Sequence, residues 1–250
     1  MAIARQSGAG QYERAFTEQF EAVMSWQPEI DELRRREALA RKMGGEDKIK
    51  RQRDGGKLTV RERIERLLDP DSFHEIGAIA GKAEYGPDGE LIDFMASNFV
   101  CGRGRIQSRP VVVGGDDFTV RGGAADASIW AKQEISEQMA GDLRLPIVRL
   151  IDGTGGGGSV KTYEMTGRTY VPRNPAWEFV VRNLSLVPSV SLGLGSVAGL
   201  GAARLVTSHY SLMVKGISQM FAAGPPVVKR LGEDVTKEEL GGTQIHARNG

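Results

Sequence analysis

"IDGTGGGGSVK", residues 151–161, sets four consecutive glycines directly behind the apolar run "LPIVRLI" (145–151). A strand ending in bare backbone has four possible uses: a dinucleotide loop, a nucleoside triphosphate loop, a flexible joint, or a set of main-chain donors for an anion. Gly153, Gly155 and Gly158 satisfy G-x-G-x-x-G, and Glu178 lies 20 residues past the last of them. In a dinucleotide unit that acid ends the next strand. Here "NPAWEFVVRNL" (174–184) places Glu178 early in a helix opened by Asn174 and Pro175. A Walker A loop requires Gly-Lys-Ser/Thr at its end, and Gly158 is followed by Ser159 and Val160. A joint between two strand signals of one sheet is out of place. What remains is a backbone donor site, set against the plainer reading that the glycines only let helices pack on the sheet. Glycine permits close approach of a carbonyl to main-chain N–H groups, and a helix starting there adds its partial positive charge. Segments 153–158 and 195–201 both have this character, which points to a reaction passing through an enolate or a tetrahedral anion.

Outward from this loop the pattern repeats. "RPVVVGGDDFTVRGGAADASIWAKQEISEQMA" (109–140) reads as strand, glycine turn and helix, and "VPSVSLGLGSVAGLGAARLV" (187–206) reads the same way with a small-residue helix. Pro110, Pro146 and Pro188 stand at the strand starts. Val-, Ile- and Leu-rich strands alternating with helices predict an α/β fold with a parallel sheet covered by helices, its ligands at the carboxyl ends of the strands. Ahead of this, residues 12–53 carry charge at nearly every turn with apolar residues at helical spacing and Pro28 interrupting them, which predicts two surface helices. "TVRERIERLL" (59–68) predicts a short helix with Thr59 as N-cap, stopped by Asp69-Pro70.

Composition narrows the partners. The 33 basic and 32 acidic residues nearly cancel, so no global field favours nucleic acid or an anionic membrane. Cys101 is the single cysteine, which excludes an internal disulfide and a cysteine cluster. The start of the chain has no signal-like apolar core, and the weakly polar stretch 189–206 contains Arg204; a cytoplasmic protein is expected. Glycine, at 33 residues, is about twice the usual ~7% share. His74, His209 and His246 show no metal spacing, no G-x-S-x-G is present, and Asp116 and Asp117 are adjacent strand residues that face opposite ways. Side-chain acid–base chemistry is therefore not announced.

Four stretches taken together are identifiable: "GGKLTVRERIERLLDPDSFHEIG" (55–77), "DFTVRGGAADASIWAKQ" (117–133), "VPSVSLGLGSVAGLGAA" (187–203) and "GPPVVKRLGEDVTKEELGGTQIH" (224–246). In this order they resemble the carboxyltransferase (β) subunit of biotin-dependent acyl-CoA carboxylases of the propionyl-CoA and methylcrotonyl-CoA group. The resemblance implies a crotonase-like spiral of strand-strand-helix turns over residues 57–250, preceded by a helical segment, 1–56. It implies transfer of a carboxyl group from carboxybiotin, on a separate carrier subunit, to the α-carbon of an acyl-CoA through an enolate. ATP and bicarbonate are then consumed by a partner biotin carboxylase. Gly199 and Leu200 match the oxyanion-hole segment by their backbone; Gly155, Gly156 and Gly157, with Gly122, Gly123 and Ala124, match the acyl-CoA side. No metal is implied.

Three departures stand out. Leu200 replaces a usual Gly, His209 a usual Asp, and "DGTGGGGSVK" (152–161) a shorter loop ending in Arg. The resemblance covers only the acyl-CoA half of such subunits, so a second, biotin-side half and an oligomeric assembly are expected as partners. Another crotonase-fold acyl-CoA enzyme, a decarboxylase or hydratase, and a catalytically silent assembly subunit are the alternatives. The sequence leaves the acyl chain open.

Overall fold

A computed structural model describes residues 25–124, 127–154, 167 and 174–249. Helix α1 (Gln27–Arg41) has Pro28 in its first turn, where a missing N–H costs nothing, so this proline starts the helix rather than interrupting it. Helix α2 (Glu46–Asp54) follows, then α3 (Val60–Leu67). The N-terminus of α3 is a reciprocal capping box. The Glu62 amide donates to Thr59 Oγ1, and the Glu62 carboxylate accepts from the Thr59 amide at 2.7 Å. The helix ends as Leu68 turns extended, just before Asp69-Pro70.

A short hairpin, β2 (Gly81–Tyr85) and β3 (Leu91–Ala96), stands apart as its own two-stranded sheet. The main sheet has seven strands: β1 (His74–Ile76), β4 (Phe99–Ile106), β5 (Arg109–Asp116), β6 (Ile147–Gly153), β7 (Ser189–Ala198) and β8 (Tyr210–Met213) in spatial order, with β9 (Gln219–Phe221) also on β7. Strands β5 to β8 run parallel as expected from the sequence; β1, β4 and β5 are antiparallel, so the sheet is mixed. The antiparallel pairing arises because Gln107 and Ser108, both at positive φ, close a two-residue hairpin that leaves no room for a crossover. Both their amides donate to Asp69, at 2.8 and 2.7 Å.

Helix α4 (Trp130–Leu143) covers one face, with α5 (Trp177–Asn183) beside it. Alternation along the strands decides which side chains go where. Val111, Val113, Val148 and Leu150 meet Val60 and Ile64 of α3 on one face, whereas Val112 and Ile147 meet Ala140 of α4 on the other. Strand β7 passes through Gly199 into α6 (Leu200–Val206), and α7 (Pro225–Arg230), α8 (Lys237–Gly241) and α9 (Thr243–Asn249) close the chain. The stretch 189–206 is thus a buried strand and helix, and no helix among the described residues is long and apolar enough to cross a membrane.

Candidate active site

The carboxyl ends of β5, β6 and β7 bring three glycine turns into mutual contact. After β5 the chain makes a 3-10 turn, Arg121–Gly123, with φ of 57°, 61° and 76° at its three residues. The Gly122 carbonyl accepts from the Thr154 amide at 3.4 Å. A Cβ on Gly123 would stand 3.4 Å from the Thr154 nitrogen, and one on Gly153 only 2.7 Å from the Gly122 carbonyl oxygen. A Cβ on Gly199 would lie 3.7 Å from the Thr154 carbonyl oxygen. Candidate residues 122, 123 and 199 therefore share one locality, with Ala124 buried behind the first turn. Gly155, Gly156 and Gly157 lie outside the described residues.

Which amides remain available follows from the hydrogen bonds. Gly122, Gly123 and Ala124 donate to Phe118, Val120 and Arg121 carbonyls, at 3.1, 3.3 and 3.1 Å. The Gly199 amide is shared between the Phe221 and Ala222 carbonyls, each at 3.2 Å. Leu200, first residue of α6, has no acceptor for its amide among the described residues, as is normal for an opening turn. Gly199 contributes conformation instead: φ 58° with ψ −121° aims the chain into α6 and lies outside the regions open to residues with a Cβ.

Beneath the turns lies a buried charge cluster that the sequence did not announce. Asp152, with its side chain fully buried, accepts from Arg63 Nη2 at 2.8 Å, Lys57 Nζ at 3.3 Å and Gln52 Nε2 at 3.4 Å. Its amide donates to Asp116 Oδ2 at 3.3 Å, and Asp116 Oδ1 accepts from Arg204 Nη1 at 3.0 Å. Burial pushes the Asp116 carboxyl above the usual carboxylate range against the pull of Arg204. Asp116 and Asp152 thus stand on neighbouring strands, 36 residues apart in sequence, joined through the Asp152 amide while each carboxylate takes its own cations. Asp117 faces away from them: it accepts from the Thr119 amide and hydroxyl at 2.9 and 2.6 Å. Of the cluster's cations only Lys57 is partly open, and its ammonium sits 4.4 Å from the Phe118 ring centroid, beside the Gly122 and Gly153 turns.

The histidines lie elsewhere. His209 Nδ1 accepts from the Ser189 amide at 3.1 Å while Nε2 meets the Leu184 carbonyl at 2.9 Å, so the ring clamps the amino end of β7. Gly199 lies ten residues along from Ser189, roughly 30 Å at strand rise. The Asp-to-His departure is therefore remote from the glycine turns. His246 reaches the Met220 carbonyl at 2.9 Å, and His74 is exposed on β1. Among the described residues no group of His, Cys, Asp and Glu is placed to hold a metal ion.

Two sizeable clefts also avoid the turns. One, of about 640 Å³, is lined by Arg41, Arg61, Asp69 and Phe73, and an apolar one of about 390 Å³ by Leu205, Met213 and His246. Cys101 is fully buried, and burial pushes its thiol up to about 11. Native protein is accordingly expected to resist iodoacetamide at pH 8 and to be alkylated only in denaturant; stoichiometric labelling of folded protein within minutes would contradict this.

The strand-strand-helix turn formed by β4, β5 and α4 is the unit of the crotonase-like fold. The chain belongs to the carboxyl transferase domain family, which it matches over residues 51–250. It is 35% identical over 209 residues to the mitochondrial propionyl-CoA carboxylase beta chain of Sus scrofa, covering 81% of this chain and 37% of that one. To the mitochondrial methylcrotonoyl-CoA carboxylase beta chain of Arabidopsis thaliana it is 36% identical over 213 residues, covering 81% and 34%. In three dimensions it is similar to the transcarboxylase 12S hexamer solved with methylmalonyl-coenzyme A and methylmalonic acid, with a TM-score of 0.72 at 29% identity, covering 89% and 42%. The chain spans about two fifths of the length of the curated relatives it matches.

Proposed function

We propose that this chain is the acyl-CoA side of the carboxyltransferase in a biotin-dependent acyl-CoA carboxylase. The observation that carries the reading is the meeting of the three glycine turns at the carboxyl ends of β5, β6 and β7, with the Leu200 amide left without an acceptor among the described residues. In this reading Gly122, Gly123, Ala124 and the Gly155–Gly157 loop bound the acyl-CoA, and the Leu200 N–H stabilises the thioester oxygen as it gains enolate charge. Gly199 takes part through its turn, since its own amide is occupied.

Asp116 and Asp152, the acids beneath the turns among the described residues, are sealed in ion pairs, so neither is free to take the α-proton. That suits a cofactor that brings its own base. Carboxybiotin, on a separate carrier, supplies the activated carboxyl group and the proton acceptor, while the chain's residues orient the acyl-CoA and hold the developing anion. A partner biotin carboxylase, using ATP and bicarbonate, and a second carboxyltransferase half complete the oligomeric assembly.

The test is incorporation of labelled bicarbonate into a panel of acyl-CoAs by the assembly purified through this chain, with ATP, with and without avidin. Avidin-sensitive incorporation is expected. With a biotinylated partner present, its absence would leave a biotin-independent acyl-CoA enzyme or an assembly subunit.

A further inference from the structure

The ladder between β6 and β7 breaks just where the glycine turns begin. Ile151 pairs with Gly193, but Gly153 pairs with Val197, so β7 carries two more residues than β6 across this step. The Asp152 carboxylate fills the opening: a Cβ on Gly195 would fall 1.9 Å from Asp152 Oδ1. Arg63 of α3 holds both sides of it. Its Nη2 donates to Asp152 Oδ2 at 2.8 Å and to the Leu194 carbonyl at 2.9 Å. The extra residues determine how far the end of β7 advances relative to β6, and therefore where Gly199 and Leu200 stand against Thr154.

We infer that Arg63 is a positioning residue for the acyl-CoA site: by stapling the β7 bulge to Asp152, it sets the spacing between the Gly153 and Gly199 turns. The inference rests on the proposed carboxyl transfer and adds a residue that touches no substrate. Arg63→Lys keeps the charge beside Asp152, but its ammonium ends short of the Nη2 position and cannot serve both strands.

In the complete assembly, this variant is expected to lose roughly 10- to 100-fold in kcat, as a displacement of about 1 Å can cost, with KM for acyl-CoA within about 3-fold. Hydrogen exchange across residues 194–201 is expected to quicken at least roughly tenfold, while β4 and α4 keep their protection. If the variant does not accumulate as folded protein, Arg63→Gln, whose amide reaches only one of the two acceptors, makes the same comparison. Wild-type kcat and exchange in a folded variant overturn the inference. So does exchange that rises equally throughout the chain, which reports general loosening. A wild-type assembly without carboxylation removes the functional reading instead, and the exchange pattern still decides the staple.

Discussion

Replacing Gly199 with valine is expected to lower carboxylation by the complete assembly by roughly 100- to 1,000-fold while acyl-CoA still binds. The residue holds φ 58° and ψ −121°, and a β-branched side chain there costs on the order of 1–3 kcal/mol in strain alone. The turn relieves this by rotating the peptide that carries the Leu200 amide. Loss of one oxyanion donor typically costs about 3 kcal/mol of transition-state stabilisation, which is the expected drop. Steric crowding is the smaller effect, because the nearest atom to the new Cβ, the Thr154 carbonyl oxygen, is 3.7 Å away. Leu200→Gly keeps the amide and removes only the side chain, so it is expected to stay within about tenfold in rate and to shift preference among acyl chains. Initial rates with equal amounts of folded assembly check both. A Gly199→Val assembly that turns over at the wild-type rate would show that this turn holds no developing charge, leaving the chain an assembly role.

Legibility in the sequence followed the range of the interactions. The strands at 147–153 and 189–198, the α3 cap at Thr59 and the glycine turns are written in local pattern, because strand alternation, capping and positive φ are properties of neighbouring residues. The antiparallel half of the sheet is not legible in the strand pattern, because Gln107 and Ser108 make its turn and neither is the Asn or Gly that usually announces such a hairpin. The ion cluster was out of reach for a different reason. Gln52, Lys57, Arg63, Asp116, Asp152 and Arg204 come from widely separated segments, and no periodicity links an arginine on α3 to an aspartate 89 residues later. "DD" at 116–117 reads as two acids facing opposite ways, and the groups that engage Asp116, the Asp152 amide and the Arg204 guanidinium, lie on the next strand and on α6. The Gly199 amide, read from the resemblance as a donor, is engaged by Phe221 and Ala222, a contact that only the fold of β9 against β7 reveals.

The second large effect concerns Arg149, which stands in the middle of the apolar run that introduces the glycine loop. Its side chain is 1% exposed, and Nε and Nη2 donate to the two Glu137 carboxylate oxygens at 2.7 and 2.9 Å. Nη1 donates to the Thr207 carbonyl at 2.8 Å, and Asn183 Nδ2 donates to Glu137 Oε2 at 3.0 Å. One guanidinium thus ties β6 to α4 and to the end of α6, with α5 joined through Asn183. Arg149→Met leaves Glu137 buried without its counter-charge, and breaking such a pair from one side costs about 3–5 kcal/mol. For a chain of this size that is a fall of roughly 10 °C in Tm. Arg149→Met with Glu137→Leu removes both charges at similar volume and is expected to recover most of the loss, since Asn183 keeps its bond to the Glu137 backbone carbonyl at 2.9 Å. Denaturant midpoints of the single and double variants check this, and a double variant no better than Arg149→Met would mean that packing, rather than charge, dominates the site. Turnover of the double variant carries the argument to function. The bonds of Glu137 and Arg149 run to each other, to Asn183 and to the Thr207 carbonyl, and none of them reaches the Gly153 or Gly199 turn. Their removal as a pair is therefore expected to leave kcat within about threefold once stability is restored, in contrast to Arg63, whose bonds fix the strand register that those turns inherit.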